Sequence, residues 1–186
     1  GKLLRLDMKR LSGIPEWSWE DWMRNEKKSG GVGLDLSVHD LDFVFSVLGA
    51  PKNMSAIYRP IRENSSYILS TLEYEGATVT CEATWYNCNP FPFRADFLAV
   101  FDNGYVRSEA GVLTENGNVV NLGAAESGEN KKDLGINISG DDAYAEEIAY
   151  FVNCVQNDLP VTYVTPESSA QTVRLTAELI KNAGIV

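Results

Sequence analysis

Ser29-Gly30-Gly31-Val32-Gly33-Leu34-Asp35-Leu36-Ser37-Val38-His39-Asp40-Leu41-Asp42 opens as a glycine-rich turn and continues as an apolar helix to Gly49. On a helical wheel of 3.6 residues per turn, Leu34, Val38, Leu41, Phe45 and Leu48 form one apolar stripe. Leu36, Phe43 and Val47 form a second. Between them runs a narrow polar row of Asp35, His39, Asp42 and Ser46 at i, i+4, i+7 and i+11. A solvated helix face is broad and rich in Lys and Glu, whereas this row has neither, which suits the lining of a cleft.

His39 is the chain's only histidine. Asp35 lies one turn before it, so both side chains reach a common ligand. An imidazole that titrates near neutrality is the usual general acid or base. A carboxylate beside it orients the ring and raises its basicity. The same spacing also suits an i, i+4 pair that only supports the helix, or a histidine satisfied in the core. Spacing does not choose among these.

Working outward, Lys2 to Arg10 reads as an opening strand that Pro15 breaks. Ser18 with Asp21 resembles a capping box for a short helix over Trp19 to Asn25. Trp17, Trp19 and Trp22 crowd this segment, either as a stacking wall for a sugar or as core. The turn at Gly30 and Gly31 lacks the G-x-G-x-x-G spacing and the Lys-Ser/Thr of a phosphate loop. Its glycines allow close approach of backbone to a ligand or a neighbouring strand.

Beyond Gly49 and Pro51, Ser66 to Tyr74 pairs with Ala77 to Trp85 across Glu75-Gly76. In the second run Val79, Cys81, Ala83 and Trp85 alternate with Thr78, Thr80, Glu82 and Thr84, a period of two. Asn103-Gly104 and Asn116-Gly117 are hairpin signals between further short strands. A strand over Leu134 to Ile138 and a helix from Asp141 or Asp142 follow. Tyr144, Ile148, Phe151, Val152 and Val155 mark that helix's apolar, buried side. Pro166 starts a last helix that Gly184 ends. Strands grouped centrally with helices toward the ends predict an α+β fold: a mostly antiparallel open β-sheet with helices packed on one face, forming one domain over residues 1–186.

The composition is that of an ordinary globular protein, 44% hydrophobic and 23% charged. A net charge of −10 argues against nucleic acid or an anionic membrane as partner. No apolar run approaches a membrane span and no signal peptide opens the chain, which makes a reducing cytoplasm the expected setting. Cys81, Cys88 and Cys154 have no metal or redox spacing, and one histidine argues against zinc.

The order of these motifs resembles the C-terminal domain of the Gfo/Idh/MocA oxidoreductases, of the glucose–fructose oxidoreductase and inositol dehydrogenase type. The residues that carry the resemblance are the tryptophan segment, Ser29-Gly30-Gly31, Asp35-x-x-x-His39-x-x-Asp42 and Leu48-Gly49-x-Pro51. The closing run Tyr144-Ala145-x-Glu147-Ile148-x-x-Phe151-Val152, then Leu159-Pro160-Val161 and Thr165-Pro166-Glu167-Ser168-Ser169, extends it over nearly the whole chain. The resemblance implies a two-domain enzyme in which an N-terminal Rossmann domain binds NAD or NADP and supplies a lysine. His39 and Asp35 then serve as the catalytic pair for hydride exchange with a sugar or polyol. Asp35, His39, Trp17 and Trp19 are the substrate-binding candidates, and Gly30 and Gly31 lie near the nicotinamide.

No strand–glycine fingerprint–helix unit and no Glu-Lys-Pro segment occurs in these 186 residues. The chain therefore reads as the C-terminal part of a longer oxidoreductase, inactive by itself. The second expectation is a non-catalytic ligand-sensing or assembly module of the same fold. Either is compatible with a homo-oligomer formed through the open sheet face, for which the threonine-rich side of the Thr78–Thr84 run is the motive.

Overall fold

The computed structural model describes residues 1–62, 65–88, 90–110, 112–120 and 143–185. The expected strand over Leu134 to Ile138 and the expected helix start at Asp141 or Asp142 lie outside these residues. The chain divides into two compact units, Gly1–Val120 with Glu167–Val186, and Asn121–Pro166.

The larger unit is an open sheet of nine strands among the described residues. The strands are β1 (Leu3–Gly13), β2 (Asn53–Arg62), β3 (Ser65–Tyr74), β4 (Ala77–Tyr86), β5 (Arg94–Phe101), β6 (Gly104–Glu109), β7 (Val112–Glu115), β8 (Asn118–Val119) and β9 (Gly184–Ile185). Their order is β8-β7-β6-β5-β1-β4-β3-β2-β9. Six of the eight pairings are antiparallel; β1 with β4 and β2 with β9 are parallel. The α+β reading with a mostly antiparallel sheet therefore holds. The central parallel pair is not part of a simple meander. It arises because β1, first in sequence, lies between β4 and β5.

Alternation in β4 has the predicted consequence. Val79, Cys81, Ala83 and Trp85 are each at most 1% exposed and face the helices. The Asn116-Gly117 hairpin forms with both residues at positive φ, 48° and 83°. That is the backbone a two-residue turn with the twist of its flanking strands requires. The sequence reading did not find β2. Pro60 weakens its strand signal, and β2 tolerates the proline because β9 covers it only at Ile57 and Tyr58.

Helix α1 (Glu26–Ser29), a π-helical turn (Gly33–Ser37), α2 (Val38–Leu48) and α4 (Pro166–Lys181) complete this unit. The core has two clusters. Leu6 and Met8 of β1 meet Leu41 and Val44 of α2, Leu72, Val79 and Leu179. Ile14, Met23, Val32, Leu36, Ile68 and Trp85 form the second. Each fully buried apolar side chain contributes about 1.5–3 kcal/mol.

The short helix expected over Trp19 to Asn25 is instead an irregular turn segment, Trp19–Arg24, with Glu20 and Asp21 both at φ 51°. Left-handed backbone at two successive positions breaks a helix, so the Ser18–Asp21 capping box does not form. Ser18 Oγ accepts a 3.3 Å bond from the Met23 amide instead.

The smaller unit is described from α3 (Ala143–Gln156) onward. Tyr150 Oη accepts from the amides of Thr162 (2.7 Å) and Tyr163 (3.1 Å), folding the Pro160 connection back on the helix. The expected buried side of α3 is a correction: Tyr144, Ile148, Phe151, Val152 and Val155 are all exposed. Periodicity identifies an apolar face, but it does not supply the surface that covers it.

Candidate active site

Asn25 starts the segment that positions the central helix. Its side chain caps α1 by accepting from the Lys27 amide at 3.1 Å. Gly30 ends that helix in the left-handed region at φ 78°, where a Cβ would lie 2.7 Å from Leu34 Cβ. Gly31, at φ 63°, would place a Cβ 3.3 Å from Glu26 Cγ. Tyr58 Oη donates a 2.6 Å bond to Glu26 Oε1, fastening the turn to β2. Burial, and then that bond, push the Tyr58 pKa up to about 12.

From Val32 the chain is helical, but not uniformly α. The Val38 amide bonds to the Gly33 carbonyl, five residues back, so one extra residue is accommodated over Gly33–Ser37. The fully buried face is displaced from the expected stripes but keeps the regular i, i+3, i+4, i+7 spacing. The core-facing line runs through Gly33, Leu36, Ser37, Asp40, Leu41 and Val44, while Phe43 (50% exposed) and Val47 stand outward. The second apolar stripe of the wheel therefore splits, with Leu36 inside and the other two outside.

Asp35 lies within the π turn and His39 just beyond it. A turn with an extra residue winds fewer degrees per residue, which brings these two positions close to one line along the helix. Burial raises the Asp35 pKa, and His39 opposes the rise. No hydrogen bond or ion pair joins the two among the described residues. Asp35 is half-buried and His39 exposed.

The helix's other acids are tied down. Asp40 is 2% exposed, and its Oδ1 accepts from Arg10 Nε at 3.0 Å and Nη2 at 2.7 Å. Asp42 Oδ1 accepts from Thr172 Oγ1 of α4 at 2.7 Å. Ser46 Oγ donates back to the Phe43 carbonyl at 2.8 Å. So the polar row does not act as a unit: Asp42 and Ser46 are occupied, while Asp35 and His39 are left available. Reasoning from sequence missed the Arg10–Asp40 pair. Its one signal was an acid in helical phase with Leu36 and Val44.

Trp17 and Trp19 are 80% and 78% exposed, so they are not core. Their segment is held by Ile14 and Met23, which pack with Val32 and Leu36 under the π turn. Gly30 and Gly31 are explained by the turn itself, since the space a Cβ would need is filled by Leu34 and Glu26. That is not the cradle of an open phosphate loop. The glycine turn does not fit a dinucleotide's diphosphate.

Within the larger unit α2 and α4 pack on one face of the sheet. The other face carries a groove of about 640 Å³ lined by β1, β4, β5 and β6. Its charges are paired: Arg5 with Asp7 at 2.7 Å, Lys9 with Glu82 at 3.5 Å, Arg94 with Asp96 at 2.6 Å. Thr80 Oγ1 also donates to Asp7 Oδ1 at 2.6 Å. Among the described residues no helix is long and apolar enough to cross a membrane.

The sequence profile of the GFO/IDH/MocA C-terminal domain matches residues 1–107. No curated protein is significantly similar in sequence. Among solved structures, levoglucosan dehydrogenase in complex with NADH and levoglucosan superposes with a TM-score of 0.73 at 15% identity, over 98% of this chain and 57% of that one. UDP-N-acetylglucosamine 3-dehydrogenase GnnA from Acidithiobacillus ferrooxidans gives 0.69 at 16% identity, over 98% and 54%. A putative oxidoreductase from Thermotoga maritima gives 0.70 at 13%, over 98% and 53%. At such identities the likeness is one of fold, and the chain spans about half the length of each.

Proposed function

This chain belongs to the GFO/IDH/MocA family through its match to that family's C-terminal domain, and on that premise we propose that it is the substrate-side part of an NAD(P)-dependent oxidoreductase acting on a sugar or polyol. The observation that carries the reading is selective availability. Of the four ionisable groups on the central helix, Asp40 and Asp42 are bonded inward and Asp35 and His39 are not.

The dinucleotide, bound mainly by protein outside this chain, accepts or returns the hydride. The chain's own residues handle the proton. His39 Nε2 or Nδ1 takes the proton of a substrate hydroxyl as its carbon is oxidised, and returns it in the reverse direction. Asp35 orients the imidazole and steadies the imidazolium by its charge. The absence of a direct Asp35–His39 bond leaves both groups open to one substrate. Trp17 and Trp19 present flat apolar faces for the C–H surface of a sugar ring. Gly30 and Gly31 would stand toward the nicotinamide.

The test is kinetic and uses the full-length protein. Turnover over a panel of sugars and polyols is followed by the absorbance of reduced cofactor. His39→Gln and Asp35→Asn are expected to lower kcat by about 10²–10⁴-fold, the usual worth of positioned acid–base catalysis. Wild-type turnover in both variants would sink the assignment.

We assign the groove-bearing sheet face to a second copy of the chain, supported by the pairing of its charges within the chain, which leaves little net charge to bury there. Lys9→Glu places two carboxylates together with Glu82 and is expected to shift sedimentation toward a smaller species. An unchanged sedimentation profile would remove this interface.

A further inference from the structure

Asp40 is an ionisable side chain on the core-facing side of α2, and proton handling by Asp35 and His39 does not require it. Both Arg10 bonds fall on Oδ1, and Oδ2 is buried without a donor. Phe93 lies 5.9 Å from the Arg10 guanidinium and covers it from the other side. A buried pair of this kind seldom adds net stability over apolar side chains of similar volume. What it supplies is orientation and a fixed charge.

We propose that Arg10 and Asp40 are positioning residues for His39: the pair fastens the first turn of α2, which carries His39, to the central strand β1. The proposal rests on the acid–base reading of His39. The fastening is strong in direction because β1 is paired along both of its edges and cannot shift, and Arg10 reaches the helix from it.

Two variants of the full-length protein test this. Asp40→Asn keeps an oxygen for Arg10 and is expected to lose less kcat than the double variant. Arg10→Met/Asp40→Leu replaces the pair by apolar volume. It is expected to fold as stably as the parent yet lose about tenfold in kcat through loosened placement of His39, with KM little changed. Parental kcat in the double variant, or a loss in Asp40→Asn as large as that of the double variant, overturns the proposal. If Asp40→Asn does not fold, the double variant decides alone. Full turnover in His39→Gln would instead defeat the acid–base reading.

Discussion

Thr172 Oγ1 donates a 2.7 Å hydrogen bond to Asp42 Oδ1, which joins α4 to the helix that carries Asp35 and His39. The donor is 4% exposed, so water does not replace it easily. Further along, Ile180 of α4 lies over Gly33. The two helices are therefore tied at both ends, with residue 172 beside 42 and residue 180 beside 33.

Thr172→Val keeps the shape of the side chain and removes the donor. Asp42 then has a partly buried oxygen without its partner, at a cost of about 1–3 kcal/mol. The shift in the denaturant midpoint measures it.

Gly33→Ala places a methyl group against Ile180, inside van der Waals contact of Cδ1 and 2.9 Å from Cγ1. Overpacking of this kind costs about 1–3 kcal/mol. Ile180→Val removes the offending Cδ1, so the double variant is expected to lose less stability than the two single changes added together. Additivity in thermal melts would show that the two residues are not in contact.

Asp35→Asn should make the protein more stable at neutral pH even though it removes activity. Burial, opposed by His39, raises the folded-state pKa of Asp35. A carboxyl shifted this way favours the fold while protonated, below its unfolded value of about 4, and that contribution is lost as pH rises through the folded value. The ionised group is thus a burden at pH 7. Melting curves are expected to show the variant above the parent at pH 7 and the gap closing as pH falls below about 4.

Tyr58→Phe breaks the 2.6 Å bond to Glu26 that fastens the glycine turn. The loss is about 1 kcal/mol at neutral pH. Because the folded-state pKa of Tyr58 stands at about 12, its contribution is present below the unfolded value of about 10 and disappears between there and the folded value. The stability difference between parent and variant should therefore narrow through that alkaline window, as chemical denaturation at stepped pH would show.

Local chemistry made several of these features legible from sequence. The alternation of Val79, Cys81, Ala83 and Trp85 against threonines gave both the strand and its buried face. Asn116-Gly117 gave a turn because few other pairs adopt two positive φ values at low cost. Pro166 gave the start of α4. The features that were not legible depend on partners distant in sequence. The π turn is not announced by any residue within Gly33–Ser37, and the Ile180 side chain that lies over Gly33 comes from the far end of the sequence. Asp40 points inward because Arg10, on another element, is there to meet it. The apolar side of α3 is visible in the sequence, while its exposure is not, since periodicity carries no information about the covering surface. For the site the pattern named Asp35 and His39. It could not show that Asp42 and Ser46, on the same row, were already engaged.

The place of β1 between β4 and β5 has a kinetic consequence. Met8 is paired with Cys81 in parallel and with Phe97 on its other edge, so the first strand of this sheet in sequence has no neighbour until most of the sheet exists. The β3–β4 hairpin can close early through contacts near in sequence, whereas β1 must be inserted late, at the entropic expense of a long loop. During that interval its two unpaired edges are open to wrong partners, and slow refolding with a concentration-dependent yield is the expected signature.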